Sequence, residues 1–64
     1  MQKWEYIYAV INSSDVLIFI NGRSVEAKPL INFLRETGNE GWELISVTRD
    51  DYGSSTFFFK RPKS

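Results

Sequence analysis

Asn39-Glu40-Gly41-Trp42-Glu43-Leu44-Ile45-Ser46-Val47 is the stretch that decides the fold. A helical pattern ends on a glycine, and a strand pattern begins at once on a tryptophan. Upstream, Leu30, Ile31, Phe33, Leu34 and Thr37 share one side of a helical wheel, while Asn32, Arg35, Glu36, Asn39 and Glu40 share the other. That division describes a helix lying on a sheet. Pro29 suits its first position, where a missing N–H costs nothing. Gly41 is the better left-handed cap and Gly38 falls inside or just past the helix. Downstream, Trp42 to Arg49 alternates as a strand, with Trp42, Leu44, Ser46 and Thr48 set against Glu43, Ile45, Val47 and Arg49.

The flanks complete the pattern. Lys3 to Ile11 alternates with aromatic and β-branched enrichment, Trp4, Tyr6, Tyr8 and Val10 against Glu5, Ile7, Ala9 and Ile11. The polar cluster Asn12-Ser13-Ser14-Asp15 is a turn, and Val16 to Ile20 is an almost wholly apolar second strand. Asn21-Gly22 is the signature of a type I′ hairpin, folding a short third strand, Arg23 to Ala27, back on the second. After a turn at 50–54, a last strand runs from Ser55 to Arg61, and Pro62 ends it. The expected fold is α+β: an antiparallel sheet of four to five strands, order β-β-β-α-β-β, with one helix on one face.

Sixty-four residues make one domain, 1–64. A chain this short buries only about 60% of the surface its unfolded form exposes, so its own stability is marginal. Disulfides, a metal or association are the usual remedies. There is no Cys and no His, which removes disulfides, the favoured zinc ligands and the usual general base near neutral pH. Association is the remedy left.

Acidic and basic residues balance at eight each, and the pI is about 6.1. Nucleic-acid binding is disfavoured, since affinity for phosphates draws on a basic excess. Lys60, Arg61 and Lys63 nonetheless make a basic end beside the acidic Glu36, Glu40, Glu43, Asp50 and Asp51. The longest apolar run, Val16 to Ile20, is far short of the ~18 residues that span a bilayer. The first residues lack the apolar stretch of a secretory signal, so a cytoplasmic chain without membrane contact is expected.

Three blocks, Trp4-Glu5-Tyr6, Gly38-x-Glu40-Gly41-Trp42-Glu43-Leu44-Ile45-Ser46-Val47 and Phe59-Lys60-Arg61-Pro62, resemble a widespread group of small prokaryotic and phage proteins catalogued as a domain of unknown function. The group reads roughly as WEY, a helix with LNxLGxEGWELVSV, then a hairpin ending YxFKRP. Residues 12–28 depart from it, being longer and less polar than the usual connection, and so does Ile7, where a charge is common. The resemblance implies the fold and no activity.

Chemistry is sparse. Ser13, Ser14, Ser24, Ser46, Ser54 and Ser55, half of them in turns, have no His to activate them. Asp50 and Asp51 with Glu43 could be weighed as a cation site, but adjacent acids in a Gly/Ser turn are ordinary turn formers. No catalytic residue, metal ligand or cofactor site is assigned. Aromatic residues make up 16% of the chain, and Tyr8, Tyr52 and Phe58 are those expected outside the core. With Arg49, Lys60 and Arg61 nearby in sequence, Tyr8, Arg49, Tyr52, Lys60 and Arg61 are the candidate ligand-binding set.

Both alternating sets of the strands are apolar, yet one helix covers one face. If Trp4, Tyr6, Leu44, Phe57 and Phe59 meet the helix, an opposite face carrying Ile7, Ala9, Ile11, Ile45, Val47 and Phe58 must be covered by something else, with Ile7, Ile11, Ile45, Val47 and Phe58 as the interface candidates. A homo-oligomer, a dimer first, is the expectation. The function expected is a small non-enzymatic self-associating binding protein that acts on a protein partner or a small anionic ligand, in the manner of a phage inhibitor or sequestering protein. The alternatives are a nucleic-acid-binding module using the basic C-terminal strand and a purely structural assembly module.

Overall fold

The structure, a computed structural model, describes residues 1–63. It has five strands and one helix: β1 Trp4–Ile11, β2 Val16–Ile20, β3 Arg23–Pro29, α1 Leu30–Asn39, β4 Glu43–Arg49 and β5 Ser55–Pro62. The strands form one sheet in the order β3-β2-β1-β5-β4, every neighbouring pair antiparallel. It is the expected α+β domain. Four successive antiparallel pairings leave the two edges, β3 and β4, parallel, so α1 carries the chain from one edge to the other. The helix packs on β3 and β2, and its Phe33 reaches Phe59 of β5 edge-on, with ring centroids 5.7 Å apart.

Local sequence accounts for the joints. Asn21 and Gly22 both take positive φ, +52° and +82°, the I′ pairing that matches the twist of a hairpin. The Asn21 side chain adds a tertiary role, because its Oδ1 accepts from the Tyr8 N–H at 3.0 Å while its own N–H donates to the Tyr8 carbonyl at 2.9 Å. A Cβ on Gly22 would stand 3.0 Å from the Tyr8 hydroxyl. Gly22→Val is therefore expected to cost about 1–2 kcal/mol, from the left-handed backbone alone. Asn21→Asp keeps an acceptor for Tyr8 and should be close to neutral. Urea denaturation of the two variants checks both; equal midpoints would mean that the turn does not limit stability.

The turns at 12–16 and 50–54 are built alike. Asn12 Oδ1 accepts from Ser14 N and Val16 N, and Asp50 Oδ1 accepts from Tyr52 N and Ser54 N, at 2.8–3.1 Å. Each closes with a left-handed residue in fourth place, Asp15 or Gly53. Asp50 is thus occupied by its own turn. Glu43 lies at the opposite end of β4, so Asp50, Asp51 and Glu43 do not converge, and no acidic group able to hold a metal ion occurs among the described residues.

The helix starts differently from expectation. Pro29 is the N-cap and the last residue of β3, one place earlier than the first helical position, and β3 runs two residues past Ala27. No side chain caps the helix; instead the Leu30 N–H donates to the Asp15 carbonyl at 2.9 Å, so the β1–β2 turn supplies the missing acceptor. The C-terminus is a Schellman motif on Gly41, with φ +86°, Gly41 N to Gly38 O at 3.1 Å and Trp42 N to Thr37 O at 2.9 Å.

Ala9, Ile11, Leu17, Phe33 and Phe59 are the buried apolar residues, with Ile7, Ile20, Val25, Leu30, Leu34, Trp42 and Phe57 packed round them. The core therefore holds the set Ile7, Ala9 and Ile11 of β1, against the expectation that Trp4 and Tyr6 meet the helix. The reason is chemical: the aliphatic set leaves no polar atom to satisfy, and Ala9 gives the helix room. Tyr6 and Tyr8 carry hydroxyls that do better on a wet face. Ile31, placed on the apolar side of the wheel, is 54% exposed, because the helix meets the sheet along Leu30, Phe33, Leu34 and Thr37.

Candidate functional site

Cross-strand partners share a face, so the register defines the side of the sheet that the helix leaves bare. Tyr6 pairs with Lys60, Tyr8 with Phe58 and Val10 with Thr56 across β1 and β5. Val10 pairs with Phe19 on β2, and Glu43 and Ser46 of β4 pair with Lys60 and Phe58. The centre of this face is aromatic: Tyr8 and Phe58 rings lie 6.2 Å apart. Exposure is 63% for Tyr6, 39% for Trp4, 38% for Tyr8 and 36% for Phe58. Its charges sit at one end, where Lys60 Nζ is 4.4 Å above the Trp4 ring and 3.9 Å from Glu43.

The helix side carries a matching group. Arg61 Cζ lies 4.2 Å from the Trp42 ring centroid, its Nε donates to Glu5 Oε2 at 2.7 Å, and Nη1 donates to the Glu40 carbonyl at 2.9 Å. One guanidinium thus joins β1, β5 and the helix C-terminus. The three sequence blocks singled out above meet here in space: Trp4 and Glu5, then Glu40, Trp42 and Glu43, then Lys60 and Arg61. On each face of the sheet they form an aromatic–cation–carboxylate cluster. Their chemistry is that of a clasp. Arg61→Ala is expected to lower stability by about 1–2 kcal/mol, the ion pair counting for little at a third exposed and the stacking and the Glu40 bond for most. Arg61→Lys should recover only part of this, since an ammonium cannot make the planar contact. Full stability of Arg61→Ala in guanidinium titration would show the clasp to be idle.

The five candidate ligand residues do not converge. Tyr8 and Lys60 belong to the helix-free face and Arg61 to the helix side, while Arg49 pairs with Ser55 at the far end of β4 and Tyr52, 90% exposed, is in the turn beyond it. Of the basic residues near the C-terminus, Lys60 and Arg61 are engaged, by Trp4 and Glu43 and by Trp42 and Glu5. A groove of about 330 Å³ between helix and sheet has Ile7, Ile20 and Phe33 among its lining and a charged rim. That rim is self-paired, Lys28 with Glu36 at 2.7 Å and Arg61 with Glu5, leaving no cation to address an anion.

The expected interface set splits as well. Phe58 does lie on the bare face. Ile11, at 1% exposure, and Ile7 are core residues instead, because the aliphatic side of β1 turns to the helix. Val47 pairs with Phe57 on the helix side of β4, and Ile45 falls where a bulge breaks the ladder between Leu44 and Ser46. Every residue of β4 is exposed, with Leu44, Ile45 and Val47 each near half, since the helix does not reach this edge. The missed residues are Trp4 and Tyr6. The signal for them was present in the polar tips of Trp4, Tyr6 and Tyr8, which recur on one side of β1 opposite a purely aliphatic set.

No helix among the described residues is long and apolar enough to cross a membrane. No protein-family model, curated protein or solved structure matches this chain.

Proposed function

We propose that this chain is a small, non-enzymatic, self-associating binding protein, a homodimer in its working form. One observation carries the reading: a core of five buried apolar side chains lies on the helix side of the sheet, and the opposite surface, bearing Trp4, Tyr6, Tyr8 and Phe58, is uncovered. Apolar patches of that extent on soluble chains are normally interaction sites. So small a core also leaves the domain in need of the stabilisation that a partner gives. The protein partner or small anionic ligand it serves would then be held by the assembled form, and membership of the domain-of-unknown-function group is proposed on the same three blocks.

The nucleic-acid alternative rests on aromatics exposed on a sheet, a usual platform for unpaired bases. Charge weighs against it. The register places a single cation, Lys60, on the aromatic face, and Glu43 stands beside it. Backbone phosphates would find little to bind. Sedimentation velocity over a wide concentration range tests the proposal. A concentration-dependent dimer is expected, with no retention on single-stranded oligonucleotides at low salt. A monomer at every concentration would overturn it, and salt-sensitive retention would favour the alternative.

A further inference from the structure

We infer that two copies associate by stacking their helix-free faces into a sandwich, with both sheet edges left free; this rests on the self-association proposed above and fixes its geometry. An all-antiparallel sheet with one bare face can grow sideways through an edge or be covered from above, and the two routes leave different marks.

The edges are guarded. β3 carries exposed charges at Arg23 and Glu26 and ends on Pro29. β4 begins on Glu43 and ends on Arg49, and its bulge at Leu44–Ser46 spoils the even row of donors and acceptors that an incoming strand would need. Charges, proline and bulges are how edge strands avoid edge-to-edge pairing.

The face has the opposite character. Tyr6, Tyr8 and Phe58 lie on β1 and β5, two of the three inner strands, while the Lys60–Glu43 pair stands at one end. An aromatic centre with charges at the rim is the anatomy of a specific protein interface. The molecule measures 39 × 22 × 18 Å, so its broad face is of the order of the ~800 Å² per partner that a standard interface buries. Opposite charges cancel on the face, so a second copy meets no net repulsion. Two such sheets would interdigitate in the manner of a β-sandwich.

The two tryptophans make the geometry readable. Trp4 lies on the bare face, whereas Trp42 is on the helix side under Arg61, at the residue before β4. In Trp42→Phe only Trp4 fluoresces. Its emission is expected to shift to the red, and its quenching by iodide to rise, as the protein is diluted through the dissociation constant found by sedimentation. Amide hydrogen exchange on the unmodified protein is the second reading, independent of whether that variant folds: the outward amides of both edges, β3 and β4, should exchange equally in monomer and dimer, whereas an edge-paired dimer would protect those of the edge it uses. Tyr6→Ala, at the most exposed aromatic, should raise the dissociation constant by roughly 30-fold or more, the loss expected of an interface hot spot. A dimer whose Trp4 responds no differently from the monomer's, or whose β3 or β4 edge amides become protected, overturns the sandwich while sparing self-association. A strict monomer sinks both. Shielding of Trp4 by a single-stranded oligonucleotide, with no second copy present, would give the face to another occupant and overturn the inference.

Discussion

Phe59→Ala is expected to leave this chain without a cooperative fold at 25 °C. Phe59 is buried at the centre of the sheet, between its cross-strand partners Ile7 on β1 and Leu44 on β4. Its ring meets Phe33 edge-on at 5.7 Å and stacks with Phe57 at 6.5 Å, so it joins the helix to the half of the sheet that the helix does not itself cover. Truncating a buried phenylalanine costs about 3–5 kcal/mol. A domain of this size holds only ~3–10 kcal/mol in total at 0.05–0.15 kcal/mol per residue. The loss is therefore comparable with everything available. Near-UV circular dichroism should collapse while some far-UV signal survives. Phe59→Leu, which keeps most of the volume, should retain a two-state transition at a lower midpoint. The comparison must be run at one protein concentration, because a dimer's apparent stability depends on it. A Phe59→Ala variant unfolding cooperatively near the parent's urea midpoint would show that the core lies elsewhere.

Where backbone chemistry is local, sequence and structure agree closely. Asn21-Gly22 and Gly41 each demand a positive φ that few other residues accept, so turn and cap could be placed to the residue. The element order follows from these points and from the alternation between them. What sequence hides is orientation. On β1 both alternating sets are apolar, and periodicity alone cannot say which one meets the helix. Ring size alone favours Trp4 and Tyr6 inside, whereas their polar N–H and O–H groups favour the wet face and leave Ile7 and Ile11 to the core. The bulges at 17–19 and 44–46 have no marker residue, and the second moves Ile45 out of simple alternation.

Long-range pairing was hidden for a different reason. Lys60 and Arg61 look like a free basic end because their partners are distant in sequence, Glu5 being 56 residues from Arg61 and Glu40 being 21. The registers of β5 with β1 and with β4 bring them together. The same registers show why the candidate ligand set disperses: Lys60 and Arg61 are neighbours in a strand, and neighbours in a strand point to opposite faces. An aromatic–basic cluster read along the chain became two clasps, one on each side of the sheet.

Gly41→Val is the second large effect expected, and its origin can be isolated. The chain leaves α1 at Asn39 and enters β4 at Glu43, so three residues must reverse its course. They do so by placing residue 41 at φ +86°, which directs the Gly41 and Trp42 N–H groups back to the carbonyls of Gly38 and Thr37. A β-branched side chain is strongly disfavoured there, at a cost of about 1–3 kcal/mol. Crowding by distant parts of the chain is not the cause, since a Cβ at this position would meet no heavy atom within 4 Å apart from its two chain neighbours. The penalty is thus mainly that of the backbone conformation, and Gly41→Asn, whose side chain tolerates the left-handed region, should recover much of it. Gly38 supplies the contrast. It lies inside the helix without a left-handed φ and with open space at its Cβ, so Gly38→Ala should stabilise the chain by about 0.5–1 kcal/mol. Thermal melts of the three variants decide the matter: Val well below, Asn between, Ala above the parent. If Val and Asn fall equally, the space around residue 41 is filled in solution, as contact with a second copy at that corner would fill it, and the sandwich geometry would have to give way to one that includes the helix end.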